Sequence, residues 1–189
     1  MANERFNHVL GKLRNLIARP KTQADIDAAR LRALRSLGVR VGEGCRIYSD
    51  IASTEPWLIE IGDRVGIAGG VKFLTHDGAA MMVRDRRPGA QKLGTIRIGD
   101  EAFIGENAIL LPGTEIGSRC IVGPGAVVRG KVADNTLVFG NPAREMGRAS
   151  LYLERLLLAP DTLDTYGLPL AERRALQRAH FGLHDGVVC

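Results

Sequence analysis

Cysteine is scarce in this chain, and what there is does not pair. Cys45, Cys120 and Cys189 form an odd, dispersed set, which argues against a disulfide framework and offers no zinc-type spacing. Aromatic residues make up only 5% of the 189 positions, so Ile, Val, Leu and Ala must fill the core. No uninterrupted apolar run reaches the roughly 18 residues that a membrane-spanning helix needs. Asn3 and Glu4 stand where a secretory leader would need a basic start and an apolar stretch, so the expected address is cytoplasmic. The excess of positive charge is local: residues 1–40 hold nine Lys or Arg against three acids, and the rest of the chain is close to neutral. That surplus reads as a solvated helical face or as peripheral contact with an anionic membrane surface or a phosphorylated ligand. It is not interleaved with aromatics, so nucleic acid is not an expected partner.

What is abundant is a repeat. From Ile98 an aliphatic residue recurs every six positions, at Ile104, Leu110, Ile116, Val122 and Val128, with glycine following at Gly99, Gly105, Gly117 and Gly123. The same phase runs earlier through Ile61, Ile67 and Phe73, and faintly through Val41 and Ile47. Such a period marks a solenoid in which no turn is stable without its neighbours. Three blocks make one triangular coil, each block giving a short strand and a corner. The first aliphatic points inward and stacks on its equivalent eighteen residues on, as Ile98 on Ile116. A second inward position, four residues along, holds Ala102, Ala108, Ala126 and Val132. Gly, Asn and Asp occupy corners because they accept positive φ or bond their own backbone. The expected fold is mainly β: a left-handed parallel β-helix, an exception to the usual right-handed crossover.

Two interruptions break the phase. Fourteen residues separate Ile47 from Ile61, two more than two blocks, with Pro56 and Trp57 between them. Twenty-five separate Phe73 from Ile98, which predicts a loop extruded at about 79–95. Insertions in solenoids collect on the functional face. Helical spacing predicts helices at about 4–18, 22–37, 149–158 and 169–179, acting as caps on the open ends of the stack. The expected organisation is an N-terminal helical segment at 1–40, the β-helix at 41–146 and a C-terminal helical segment at 147–189.

Phe73-Leu74-Thr75-His76-Asp77-Gly78, the run Ile98 to Gly105, the run Ile109 to Gly117 and the closing Val138-Phe139-Gly140-Asn141-Pro142-Ala143-Arg144 resemble the hexapeptide-repeat acyltransferases. The likeness is to the branch of maltose, galactoside, xenobiotic and capsular-sugar O-acetyltransferases. It implies an acetyl-CoA-dependent acetyltransferase acting on a sugar, sugar-nucleotide or lipid-linked sugar hydroxyl, without a metal, as a homotrimer. The resemblance puts the catalytic base at His76, the one histidine inside the repeats. A sugar hydroxyl needs its proton removed as it attacks a thioester, and an imidazole suits that task near neutral pH.

The same resemblance assigns CoA contacts to Glu106 and Pro124 at corners, to Arg129 beside them, and to Arg144 on the nucleotide phosphates. Lys131 and Arg148 are further phosphate partners. The chain departs from the usual Thr-Lys at Arg129-Gly130. Asp77 and Arg84 are expected on the substrate side. Neighbours in extended chain face opposite ways, so Asp77 is the weaker choice to orient His76. Arg84, Arg86 and Arg87 either hold an anionic acceptor or are solvated. Alternatives are an N-acetyltransferase of a nucleotide-linked amino sugar and a non-catalytic β-helix scaffold subunit. A γ-carbonic anhydrase, which shares the solenoid, would need three zinc-binding histidines.

Overall fold

An aliphatic side chain every sixth residue can leave water only if successive blocks turn toward a common axis and stack. In the computed structural model, which describes residues 22–183, they do. Strands of two to four residues build three parallel faces. The first carries Arg40–Val41, Ile59–Ile61, Ile96–Ile98, Glu115–Ile116 and Lys131–Val132. The second carries Arg46–Ile47, Gly66–Ile67, Phe103–Ile104, Ile121–Val122 and Thr136–Phe139. The third carries Lys72–Phe73, Ile109–Leu110 and Val127–Val128.

The register matches the eighteen-residue period: Ile98 pairs with Ile116, Ile104 with Val122 and Leu110 with Val128. Ile104, Leu110, Ala108, Ala126 and Val122 are fully buried. Cys120 and Thr114 share the second inward position, also fully buried; the Thr114 hydroxyl donates to the carbonyls of Leu111 and Val128. The phase shortens after Val128. Ile116 pairs with Val132, sixteen residues on, where a strict hexad would have set Asp134. Gly130, at φ +76°, makes the tighter corner. Close stacking also fixes Gly105, where a Cβ would lie 2.5 Å from Pro124 N. Arg64, Glu101 and Arg119 take left-handed φ of 54–57° at another corner, a conformation that costs a non-glycine residue about 1 kcal/mol.

Polar residues face outward. On the first face Arg40, Glu60, Arg97, Glu115 and Lys131 alternate in sign; Arg40 pairs with Glu60, and Arg97 reaches Glu60 at 3.5 Å and Glu115 at 3.1 Å. Helix α1 (Gln23–Ser36) starts at a capping box between Thr22 and Asp25 and buries Leu31 and Leu34 in the same apolar cluster as Val39, Ile47 and Ile51. The last coil ends in an antiparallel strand, Arg144–Arg148, on Thr136–Phe139. The predicted helix at 4–18 lies outside the described residues. The described residues up to Ala149 form one compact unit and those from Ser150 a second, where the two predicted C-terminal helices are found: α2 (Ala149–Leu158) starts at the boundary and α3 (Leu170–His180) follows.

Candidate active site

Both interruptions lead back into the first face, at Ile59–Ile61 and Ile96–Ile98 of adjacent coils, and their polar residues meet there. The longer one begins with the strand His76–Asp77, which pairs antiparallel with Lys92–Leu93. Between them runs a short 3-10 helix, Gly78–Val83. The arm departs and returns at adjacent atoms, since Gly94 N–H donates to Thr75 O at 2.8 Å. The nineteen inserted residues therefore leave the pairing of Ile61 with Ile98 intact. Ser53, Thr54 and Glu55 belong to the shorter interruption, just before Pro56.

Glu55 is the centre of the cluster. Its Oε2 accepts from Thr75 Oγ1 at 2.6 Å and lies 3.0 Å from His76 Nδ1, and its Oε1 accepts from Thr54 Oγ1 at 2.7 Å. These hydrogen bonds, led by that from Thr75, pull its carboxyl down from 4.5 to about 2 against the opposing effect of burial. It is therefore an anion at neutral pH, and an anionic carboxylate can only accept. His76 Nδ1 must then carry a proton, and in the neutral imidazole that leaves Nε2 with a free lone pair; the network assigns this tautomer.

The direction of the other bonds follows by the same count. Thr75 gives its one hydroxyl proton to Glu55, so Ser53 Oγ, 2.6 Å away, donates to Thr75. Ser53 in turn accepts from Glu55 N–H at 3.1 Å. Thr54 has spent its proton on Glu55, so its contact with Nδ1 at 3.2 Å is as acceptor. The ring is closed and buried at its base, with Thr75 1% exposed and the Glu55 side chain 15%, while the His76 side chain is 49% exposed. The imidazole thus stands on a fixed carboxylate and opens into a cleft of about 420 Å³.

Of the substrate-side residues, Asp77 and Arg84 line this cleft, with Gln91 and Lys92. Asp77 does not orient His76: its Oδ1 caps the 3-10 helix by accepting Ala79 N–H at 2.9 Å. Arg84 is held by an Nε–H donated to Ala90 O at 3.3 Å. Glu55 was not among the residues singled out from sequence; the only trace of it was the polar Ser53-Thr54-Glu55 run inside an interruption.

The proposed CoA residues are all exposed, and none lines this cleft. Glu106 and Pro124 follow the second-face strands Phe103–Ile104 and Ile121–Val122, so they share the corner between the second and third faces; Gly125 N–H bonds Glu106 O across it. His76 and Arg129 follow third-face strands, at the corner before the first face. Lys131 lies on the first face opposite Glu115, and Arg144 on the closing strand opposite Phe139. One copy of the chain does not bring His76 together with Glu106 and Pro124. Among the described residues no group of three or more His, Cys, Asp or Glu could hold a metal ion, and no helix is long and apolar enough to cross a membrane.

A family model described as bacterial transferase hexapeptide, six repeats, matches residues 95–130. Protein CapG of Staphylococcus aureus is 44% identical over 127 residues, which cover 66% of this chain and 74% of that one. WbbJ of Escherichia coli strain K12, whose name provisionally assigns it to O-acetyl transfer in lipopolysaccharide biosynthesis, is 47% identical over 105 residues, 51% of this chain and 53% of its own length. Among solved structures, a hexapeptide-repeat acetyltransferase of Vibrio cholerae complexed with acetyl-CoA superposes with a TM-score of 0.56 at 26% identity, covering 74% of this chain and 84% of that one. A three-faced stack in hexad register, with this degree of identity across three quarters of a relative, establishes that the chain belongs to the hexapeptide-repeat acyltransferase family, the left-handed β-helix enzymes.

Proposed function

We propose that the chain transfers the acetyl group of acetyl-CoA to a hydroxyl of a sugar or polysaccharide precursor, with His76 as general base. The observation that carries the reading is the imidazole seated on Glu55 at the mouth of the arm. Its unprotonated Nε2 takes the hydroxyl proton as the oxygen attacks the thioester carbonyl. The proton returns to the departing thiolate, and Glu55 stabilises the imidazolium between the two steps. An oriented base favours a hydroxyl over an amine, which needs less help to attack. The assignment of WbbJ to O-acetyl transfer and the acetyl-CoA bound by the Vibrio cholerae enzyme support the same choice of chemistry.

Acetyl-CoA would lie along the corner of Glu106 and Pro124, with Arg129, Lys131 and Arg144 available to its phosphates. Because that corner and His76 are separated by the third face, we infer a homotrimer in which one copy's His76 faces a neighbour's CoA corner. On this reading 1–40 and 147–189 are helical segments flanking the β-helix at 41–146, and helices cap its ends. A cytoplasmic site of action goes with it, with residues 1–40 free for peripheral membrane contact.

The test is incubation with labelled acetyl-CoA and a panel of sugars, with mass analysis of the products. Label on a hydroxyl, lost in His76→Ala, is the expected result; transfer that His76→Ala leaves intact removes His76 as the base.

A further inference from the structure

The four charged side chains around His76 in the cleft are unequally compensated. Glu55 gives its oxygens to Thr75, Thr54 and His76, and Asp77 gives Oδ1 to Ala79 N–H. Of the two cations, only Arg84 has a comparable partner among the described residues, a backbone carbonyl. Arg84 engages a backbone carbonyl through Nε alone, and neither Arg84 nor Lys92 has an ion pair among the described residues. Some other cations do find acids: Arg86 lies 3.7 Å from Asp85 in the same arm, and Arg64 bonds Glu101 at 2.7 Å.

The backbone of both cations is also placed by the fold. Lys92 sits in the antiparallel pair directly opposite Asp77, next to the pairing of His76 with Leu93. Arg84 ends the 3-10 helix and is tied to Ala90. The positive groups of Arg84 and Lys92 line the same cleft and can engage one anion together. A guanidinium offers a planar pair of donors and an ammonium a compact charge, a combination that fits a phosphate oxygen cluster better than a single carboxylate.

We propose that the acceptor carries a phosphate or diphosphate ester on the sugar to be acetylated, and that Arg84 and Lys92 hold this group while His76 faces the hydroxyl. This rests on the acetyl-transfer reading and narrows its substrate class. Nucleotide-linked and lipid-linked sugars share this chemistry.

Two measurements decide it. In the first, the full chain is titrated with inorganic pyrophosphate by calorimetry, for wild type and for Arg84→Ala/Lys92→Ala. Binding weakened at least tenfold in the double variant is expected; equal binding, or none to wild type, overturns the proposal. In the second, common hexoses are offered as methyl glycosides, uronic acids, 1-phosphates, nucleoside diphosphate sugars and short-chain prenyl diphosphate sugars. At least one phosphorylated form should exceed its methyl glycoside about tenfold in kcat/KM. The double variant should abolish that advantage while KM for acetyl-CoA stays within twofold, and Lys92→Arg should retain most of it. The nucleotide and prenyl arms separate the two sources.

A glycoside or uronic acid used as well as any phosphorylated form overturns the proposal. So does a rise in KM for acetyl-CoA in place of the acceptor, which would give the pair to the CoA phosphates. Absence of transfer to every acceptor contradicts the acetyl-transfer reading instead, and the pyrophosphate titration then still decides whether the cleft binds phosphate.

Discussion

The coil that runs from Ile98 to Ile116 and on through Val128 repeats without a break, whereas the two coils before it are each interrupted, and the two regions divide the labour. In the regular region the inward residues are aliphatic or small and buried, so their sequence is spent on stacking. In the interrupted region the insertions leave the wall of the prism one coil apart, and Glu55 meets His76 there although 21 residues separate them. A solenoid makes this cheap, because an insertion at a corner leaves the ladder beneath it undisturbed. Stability and chemistry should therefore respond to different substitutions.

Changes to the inward residues of the regular region should cost stability alone. Ile104 is fully buried between Ile67 and Val122, and Ile104→Ala should lower unfolding free energy by about 2–5 kcal/mol; denaturant titration measures it, and folded protein should keep its catalytic constant. The reverse is expected of His76→Ala, with acetyl transfer down about a hundredfold or more and an unchanged thermal midpoint.

Glu55→Gln sharpens the contrast, since Gln can still accept from Nδ1 without supplying charge. A loss of roughly tenfold in kcat is expected, with little change in either KM. It also carries a pH signature. The folded-state carboxyl is lowered from 4.5 to about 2, so Glu55 contributes stability that is present above its unfolded value and lost as pH falls toward 2. Denaturation midpoints of wild type and Glu55→Gln should differ more at about pH 6 than at about pH 2.5. The smallest effect is a gain: Arg119 holds a left-handed φ of 56°, and Arg119→Asn should stabilise the stack by about 0.5 kcal/mol, because Asn enters that conformation more readily.

The regular region was legible because its physics is local and periodic: one inward aliphatic every six residues, a small residue four later, glycine where coils touch. Helix boundaries were equally plain. The pattern at 22–37 became α1 with Thr22 and Leu37 as its caps, and that at 149–158 became α2. The period misled only after Val128, where Gly130 removes two residues from the coil and Val132 takes the inward place. The interruptions could be located by counting, and His76 could be singled out as the one histidine among the repeats. Glu55 could not, because nothing periodic ties residues 53–55 to residues 75–76; their meeting depends on how far each loop projects. Asp77, adjacent in sequence to His76, was the visible acid, but an extended chain turns neighbouring side chains apart and Asp77 caps a helix instead.

The central claim is that residues from two separate interruptions act as one base. A double-mutant cycle in kcat/KM for acetyl transfer, with Glu55→Gln, His76→Asn and the pair, tests it most directly. If Glu55 acts through the imidazole, the double variant should be no slower than His76→Asn alone. Losses that simply multiply would show two independent roles and contradict the account.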